Sequence, residues 1–145
     1  MKYKIRIWMP ILALFIWTFL SNGTSYGQAD VKKKAEAVIR GVTIVSLDAP
    51  LRATIGRKVA IEIVIGNERA SKVTTILTVT CLTTKQQIGR EAETLEGLTS
   101  QKIVYIWDTE GLKEGTYVIR AELEKVPDET DIEDNVREIE VLLHR

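Results

Sequence analysis

The chain has 145 residues, of which 20 are Lys or Arg, 20 are Asp or Glu, one is Cys and one is His. This length indicates one domain, and a single Cys excludes both a disulfide framework and a Cys/His zinc cluster. Three basic residues precede Asp30, the first acidic one, so residues 28–145 carry 17 basic and 20 acidic side chains, a net charge of −3. A mildly acidic domain of this kind disfavours nucleic acid as a partner.

The N-terminus has the order of regions that is typical of a secretory signal peptide. Basic residues at positions 2, 4 and 6 precede an uncharged apolar run over residues 7–20, and small or polar residues continue to Gly27. As a helix this run would span roughly 21 Å, which is short of the ~30 Å hydrocarbon core of a bilayer. We therefore predict a signal peptide over residues 1–27, cleaved after Gly27 or alternatively after Ala29, and no stable membrane span after cleavage. An uncleaved membrane anchor is the alternative.

Residues 28–40 form a charged stretch without an apolar stripe. We interpret this stretch as a solvated linker, and a contact of its lysines with a membrane surface is the alternative. From Gly41 onward the hydrophobic pattern has a period of two, which is the period of a β-strand. The residues Val59, Ile61, Ile63 and Ile65 illustrate it, because they alternate with small or polar positions.

About seven such strands are predicted after residue 40. They cover residues 42–47, 59–65, 73–82, 87–93, 101–108, 117–124 and 137–143. The gaps between them contain Gly, Pro, Asn and Asp and are too short for crossover helices. The sequence therefore predicts an all-β, antiparallel, two-sheet β-sandwich in one domain over residues 41–145.

Five segments in order resemble the cell-adhesion-related domain found in bacteria (CARDB). They are Val42–Pro50, Ile55–Asn67, Ile106–Asp108, Glu114–Ala121 and Glu129–Asn135. The family often has Asn-x-Gly after its second strand and paired Asn before its last strand, where this chain has Asn67-Glu68-Arg69 and Asp134-Asn135-Val136. The resemblance covers about residues 41–143 and implies an immunoglobulin-like sandwich in a bacterial adhesion or scaffolding protein.

Several residues are expected to have structural roles in such a sandwich. Tyr117 follows Glu114-Gly115-Thr116 with the spacing of a tyrosine corner, in which the hydroxyl bonds to the preceding loop backbone. Ile119, two residues later, stands where antibody domains place a Cys, and we expect it to pack on an Ile of the 59–65 strand. Trp107 is predicted to fill the core between the sheets, with ligand stacking as the alternative. Asn67 and Asn135 are assigned to the turns.

A run of carboxylates between residues 128 and 134 is the one candidate metal site. Ca²⁺ takes six to eight oxygen ligands, which a flexible acidic loop can supply. The helix-loop-helix calcium motif needs Gly at its sixth position, where this run has Glu133. We interpret the run as a solvated hairpin tip, with a weak Ca²⁺ site as the alternative and no other cofactor. The residues concerned are Asp128, Glu129, Asp131, Glu133 and Asp134.

The remaining chemistry-bearing residues do not suggest an enzyme. Cys81 shares a predicted buried face with Leu77 and Val79, and His144 is the penultimate residue, so no nucleophile and base are expected together. The sequence predicts a secreted or periplasmic, non-enzymatic module that binds another envelope or extracellular protein or a glycan. Pairing along the edge strand 87–93, where Glu91 and Glu93 limit unwanted association, is the expected contact. The alternative is a small secreted protease inhibitor that acts through its loops.

Overall fold

The computed structural model describes residues 8–10 and 38–145, and these residues form two β-sheets packed face to face. One sheet has the strand order β1-β7-β4-β2 and the other has the order β3-β9-β8-β5-β6. The pairings are antiparallel except that of β3 with β9. The strands are β1 (Trp8–Pro10), β2 (Val42–Asp48), β3 (Arg52–Thr54), β4 (Lys58–Asn67), β5 (Val73–Cys81), β6 (Gln86–Leu95), β7 (Thr99–Asp108), β8 (Gly115–Leu123) and β9 (Val136–His144), with a 3-10 helix at Glu133–Asn135.

The first sheet is built around β4, whose alternating sequence decides which face is buried. Ile61, Ile63 and Ile65 are fully buried, because side chains two residues apart point to the same face of a strand. The register of β4 with β7 runs without a break from the pair Lys58–Asp108 to the pair Gly66–Ser100. The isoleucine face of β4 therefore lies in the core between the two sheets.

The second sheet contributes the inner residues of β5, β8 and β9 to the same core. Trp107 on β7 and Tyr117 on β8 connect the two sheets, with ring centroids 5.6 Å apart and planes tilted by 58°. Such a tilted pair adds roughly 0.5–1.5 kcal/mol beyond the apolar area that it buries. The prediction of an all-β antiparallel sandwich, with Trp107 in its core, is confirmed.

The seven predicted strands correspond to β2 and to β4 through β9. The sequence missed β3, because three residues are too few to show a period of two. The predicted signal peptide lies outside the described residues except for β1, which pairs with β7. Of the predicted linker only residues 38–40 are described, and they have no regular secondary structure. No helix in the described ranges is long and apolar enough to cross a bilayer.

Candidate functional site

A buried carboxylate holds the acidic loop between β8 and β9. Glu129 is fully buried, and its Oε1 accepts a hydrogen bond of 2.8 Å from the backbone N of Val42. Its Oε2 accepts bonds of 3.0 Å from the backbone N of Val126 and from Nδ2 of Asn135. A carboxylate inside a protein is tolerated only when hydrogen bonds replace its water. Glu129 therefore anchors this loop to the start of β2.

The other four carboxylates of this loop lie nearer the surface. Asp128 and Glu133 are exposed, and Asp131 and Asp134 are partly buried. Burial raises the pKa of Asp134, the charges of Asp131 and Glu129 raise it further, and a hydrogen bond with the Thr43 side chain opposes the rise.

The interpretation of this run as a solvated hairpin tip is wrong for Glu129, because its hydrogen bonds hold it in the interior. In residues 8–10 and 38–145, no group of three or more His, Cys, Asp or Glu side chains is placed to hold a metal ion. The weak Ca²⁺ site over residues 128–134 stays an alternative to the solvated-tip interpretation.

Asn67 fixes the neighbouring loop between β4 and β5. Its Nδ2 donates to the carbonyl oxygens of Ser71 at 2.8 Å and Glu96 at 3.1 Å, and its Oδ1 accepts from the backbone N of Arg69 at 2.9 Å. The Arg69 guanidinium, at the position where the CARDB pattern often has Gly, donates from Nη2 to the carbonyl of Pro127 at 2.7 Å. Asn67 thus ties the β4–β5 loop to the loop between β6 and β7, and Arg69 ties it to the acidic loop.

Tyr117 fixes the loop between β7 and β8 at the opposite end. Its hydroxyl donates to the carbonyl of Lys113 at 2.9 Å and accepts from the backbone N of Lys113 at 3.1 Å. This is the geometry of a tyrosine corner. Ile119, two residues on, is fully buried in the same core as Ile61 of the opposite sheet.

The side of the sandwich where β6 faces β7 contains buried polar groups. Glu93 on β6 is fully buried, and its Oε2 accepts a hydrogen bond of 3.1 Å from Nε2 of Gln101 on β7. Burial raises the pKa of Tyr105, and the charges of Glu91 and Glu93 act in the same direction. The Tyr105 ring covers Gly89, where any Cβ would collide with it.

The prediction that residues 87–93 form an edge strand is confirmed, since β6 is the outermost strand of its sheet. Glu91 and Glu93 point toward β7 rather than outward, as the burial of Glu93 shows. Inward-pointing charges are one of the devices by which proteins protect sheet edges. Sequence alternation alone could have placed them inward, because they share a face with Gly89 and Leu95.

The described surface has several open depressions. One open depression of about 640 Å³ is lined by Ile55, Leu112, Lys113, Glu114 and Arg145, and Glu114 accepts a hydrogen bond of 3.2 Å from the backbone N of Arg145. Cys81 is fully buried and His144 is exposed at the end of β9. Within residues 38–145, the thiol and the imidazole therefore do not share a surface on which a substrate could meet both.

Neither a protein-family model nor a curated protein matches this sequence. Solved structures do match its fold. The CARDB domain of a Pyrococcus furiosus protein, crystallised in complex with di-metal ions, aligns with a TM-score of 0.63 and 16% identity over 75% of this chain and 97% of that domain. A domain of a Methanosarcina acetivorans protein assigned to the cell surface aligns with a TM-score of 0.56 and 15% identity over 74% of this chain and 94% of the other.

An enzyme also contains a similar sandwich. A β-glucosidase from Listeria innocua aligns with a TM-score of 0.50 and 14% identity over 70% of this chain, but over only 15% of the enzyme. The likeness therefore concerns a small part of that enzyme. The chain has a CARDB-like fold, as its sequence segments predict.

Proposed function

We propose that this protein is an exported, non-enzymatic module that binds another envelope or extracellular protein through the edge of one of its sheets. The main support for the proposal is that the polar side chains at the ends of the sandwich form hydrogen bonds within the protein. Glu129, Asn67 and Tyr117 are committed to internal hydrogen bonds that hold the loops. The edges, in contrast, present backbone N–H and C=O groups that another strand can pair with.

The outer faces of the two sheets support edge binding over face binding. They carry opposite charges in cross-strand pairs, such as Lys102 with Glu62 on the first sheet and Arg120 with Glu138 at 3.4 Å on the second. Exposed pairs of this kind contribute roughly 0–1 kcal/mol each and keep a face solvated. A face with these charged pairs is better suited to contact with solvent than to binding a partner protein.

The placement of the aromatic side chains favours a protein partner over a glycan. Tyr105, Trp107 and Tyr117 are the aromatic residues between positions 38 and 145, and each is buried. This part of the chain therefore presents no aromatic surface on which a sugar ring could stack. The extracellular location is supported by the signal-peptide pattern of residues 1–27 and by the fold shared with a domain of a protein assigned to the cell surface.

Photocrosslinking in the organism that produces the protein tests the proposal. Benzoylphenylalanine is introduced in turn at Ala92 on β6, Val104 on β7 and Glu110 in the β7–β8 loop, with Glu140 on the exposed face of β9 as the control. We expect an adduct with an envelope or extracellular protein from an edge position and none from Glu140. Adducts from Glu110 alone would favour the loop-directed inhibitor, and a cytoplasmic adduct would refute the proposal.

A further inference from the structure

The sheet edges differ in how well they could accept another strand. The register of β2 with β4 shifts between Ile44 and Ser46, and β3 has only three residues. The register of β6 with β5 shifts between Val79 and Thr80. Shifts of this kind twist a strand and interrupt its ladder of hydrogen bonds. The long strand β7 has an unbroken register with its inner neighbour β4, so it is the regular template among them.

A strand of this chain already uses one end of the β7 edge. The segment Trp8–Pro10 pairs antiparallel with β7, with Trp8 opposite Gln101 and Pro10 opposite Thr99. Three of the ten residues of β7 are occupied in this way, and the seven from Lys102 to Asp108 have no described strand on that side. One end of this edge thus already accepts an added strand.

The charged residues near this edge indicate which side chains an added strand should have. Residues directly opposite each other in an antiparallel pair share a face of the sheet. Residues of an added strand that lie opposite Gln101, Ile103 and Tyr105 would therefore face the interior side of the sheet. Glu91 and Glu93 point toward this side from β6. Basic side chains at alternate positions of an added strand would lie on the side of these two carboxylates.

We infer that the β7 edge between Lys102 and Asp108 is the acceptor for an extended segment of another protein, added antiparallel to β7 and carrying basic residues at alternate positions. The sequence before Trp8 has this pattern, with Lys2, Lys4 and Arg6 two residues apart. If residues 1–27 are removed by cleavage, all ten residues of β7 become available. The inference rests on the proposed function, because it specifies the partner that such an edge would bind.

A peptide-binding experiment with residues 38–145 tests the inference. All described core residues lie between Val42 and Leu143, and the similar Pyrococcus furiosus domain was solved on its own, so this piece contains the whole described core. The probe is a fluorescein-labelled peptide with the sequence of residues 2–10, and its binding is followed by fluorescence anisotropy.

Two N-methylated peptides report whether the probe binds as a strand. One peptide is methylated at the even positions and the other at the odd positions, so that each removes the N–H donors on one side of the strand. An edge-bound strand pairs on one side only. We expect about tenfold or greater loss of affinity for one peptide and less than about twofold loss for the other.

Glu91→Gln tests the charge of the partner, with Glu140→Gln as the matched control because it removes the same charge from an exposed site of β9. We expect a several-fold loss of affinity for the first variant and none for the second. Equal binding of the two methylated peptides, absence of binding, or association of residues 38–145 with a second copy through β7 would overturn the inference. Crosslinks from Ala92 alone would also overturn it and would leave the proposed function standing, whereas crosslinks from no edge position would refute the function itself.

Discussion

Replacing Glu129 tests whether the buried carboxylate, rather than the charge of the loop, holds this end of the sandwich. In Glu129→Gln the amide oxygen can keep the two donors on the Oε2 side, from Val126 and Asn135. The amide NH₂ then faces the N–H of Val42, which lies 2.8 Å from Oε1 in the parent. Two donors then face each other, so the buried N–H of Val42 loses its acceptor at about 1–3 kcal/mol, and the two retained bonds weaken with the lost charge. We expect a total cost of about 2–4 kcal/mol.

The assay is chemical and thermal unfolding followed by circular dichroism, with Glu133→Gln as the control. Glu133 is exposed in the same loop, so both variants remove one negative charge from one place in the fold. A cost of this size lowers the melting temperature of a domain of about 110 residues by roughly 10–20 °C. The control should change the free energy of unfolding by less than about 0.5 kcal/mol.

A rise or a fall of the free energy of unfolding in Glu129→Gln separates two explanations of what Glu129 does in the loop. If repulsion among the loop carboxylates dominated, Glu129→Gln would raise stability, as removal of a like charge does. If the hydrogen bonds dominate, it lowers stability far more than Glu133→Gln does. Equal unfolding free energies for the two variants would refute the assignment of Glu129 as the anchor of the loop.

Three further predictions concern single side chains. Tyr117→Phe removes the hydroxyl that bonds to Lys113 but keeps the ring in place, so urea unfolding should show a loss of about 1–2 kcal/mol, and an unchanged midpoint would contradict the tyrosine corner. Gly89→Ala forces a Cβ into the Tyr105 ring and should cost about 1–3 kcal/mol; the cost should shrink in a Tyr105→Leu background, and additive costs would argue against the contact. Burial raises the pKa of Asp134, so its ionised form is disfavoured in the folded state, and its contribution to stability is lost as the pH rises through that pKa. Asp134→Asn should therefore melt at a higher temperature than the parent near pH 7, with the gain disappearing at pH values below the ordinary 3.8; a gain that is constant with pH would contradict this assignment.

The strands and their buried faces could be predicted from the sequence because they depend on a local period. Ile61, Ile63 and Ile65 alternate with smaller or polar residues, and only one placement buries all three. The tyrosine corner is also local, since Tyr117 and Lys113 are four residues apart. These features depend on residues that are close in sequence.

The candidate site could not be predicted in the same way. Asp128, Glu129 and Asp131 are near neighbours of similar chemistry, and nothing in their order distinguishes the one that is buried. The choice is made by Val42, which is 87 residues away and supplies a backbone donor. Glu91 and Glu93 were assigned to an edge correctly, but the Glu93–Gln101 hydrogen bond and the effect of both charges on Tyr105 depend on how the two sheets face each other.

The class of the fold, its strands and the faces that they bury follow from the sequence, because the free energy gained by burial acts through the spacing of apolar residues along the chain. The choice of the carboxylate that anchors a loop, and of the edge that is regular, is made in the folded protein. Those outcomes depend on strand order and register. Strand order and register bring together residues that are far apart in sequence, and such contacts cannot be predicted from a local sequence pattern.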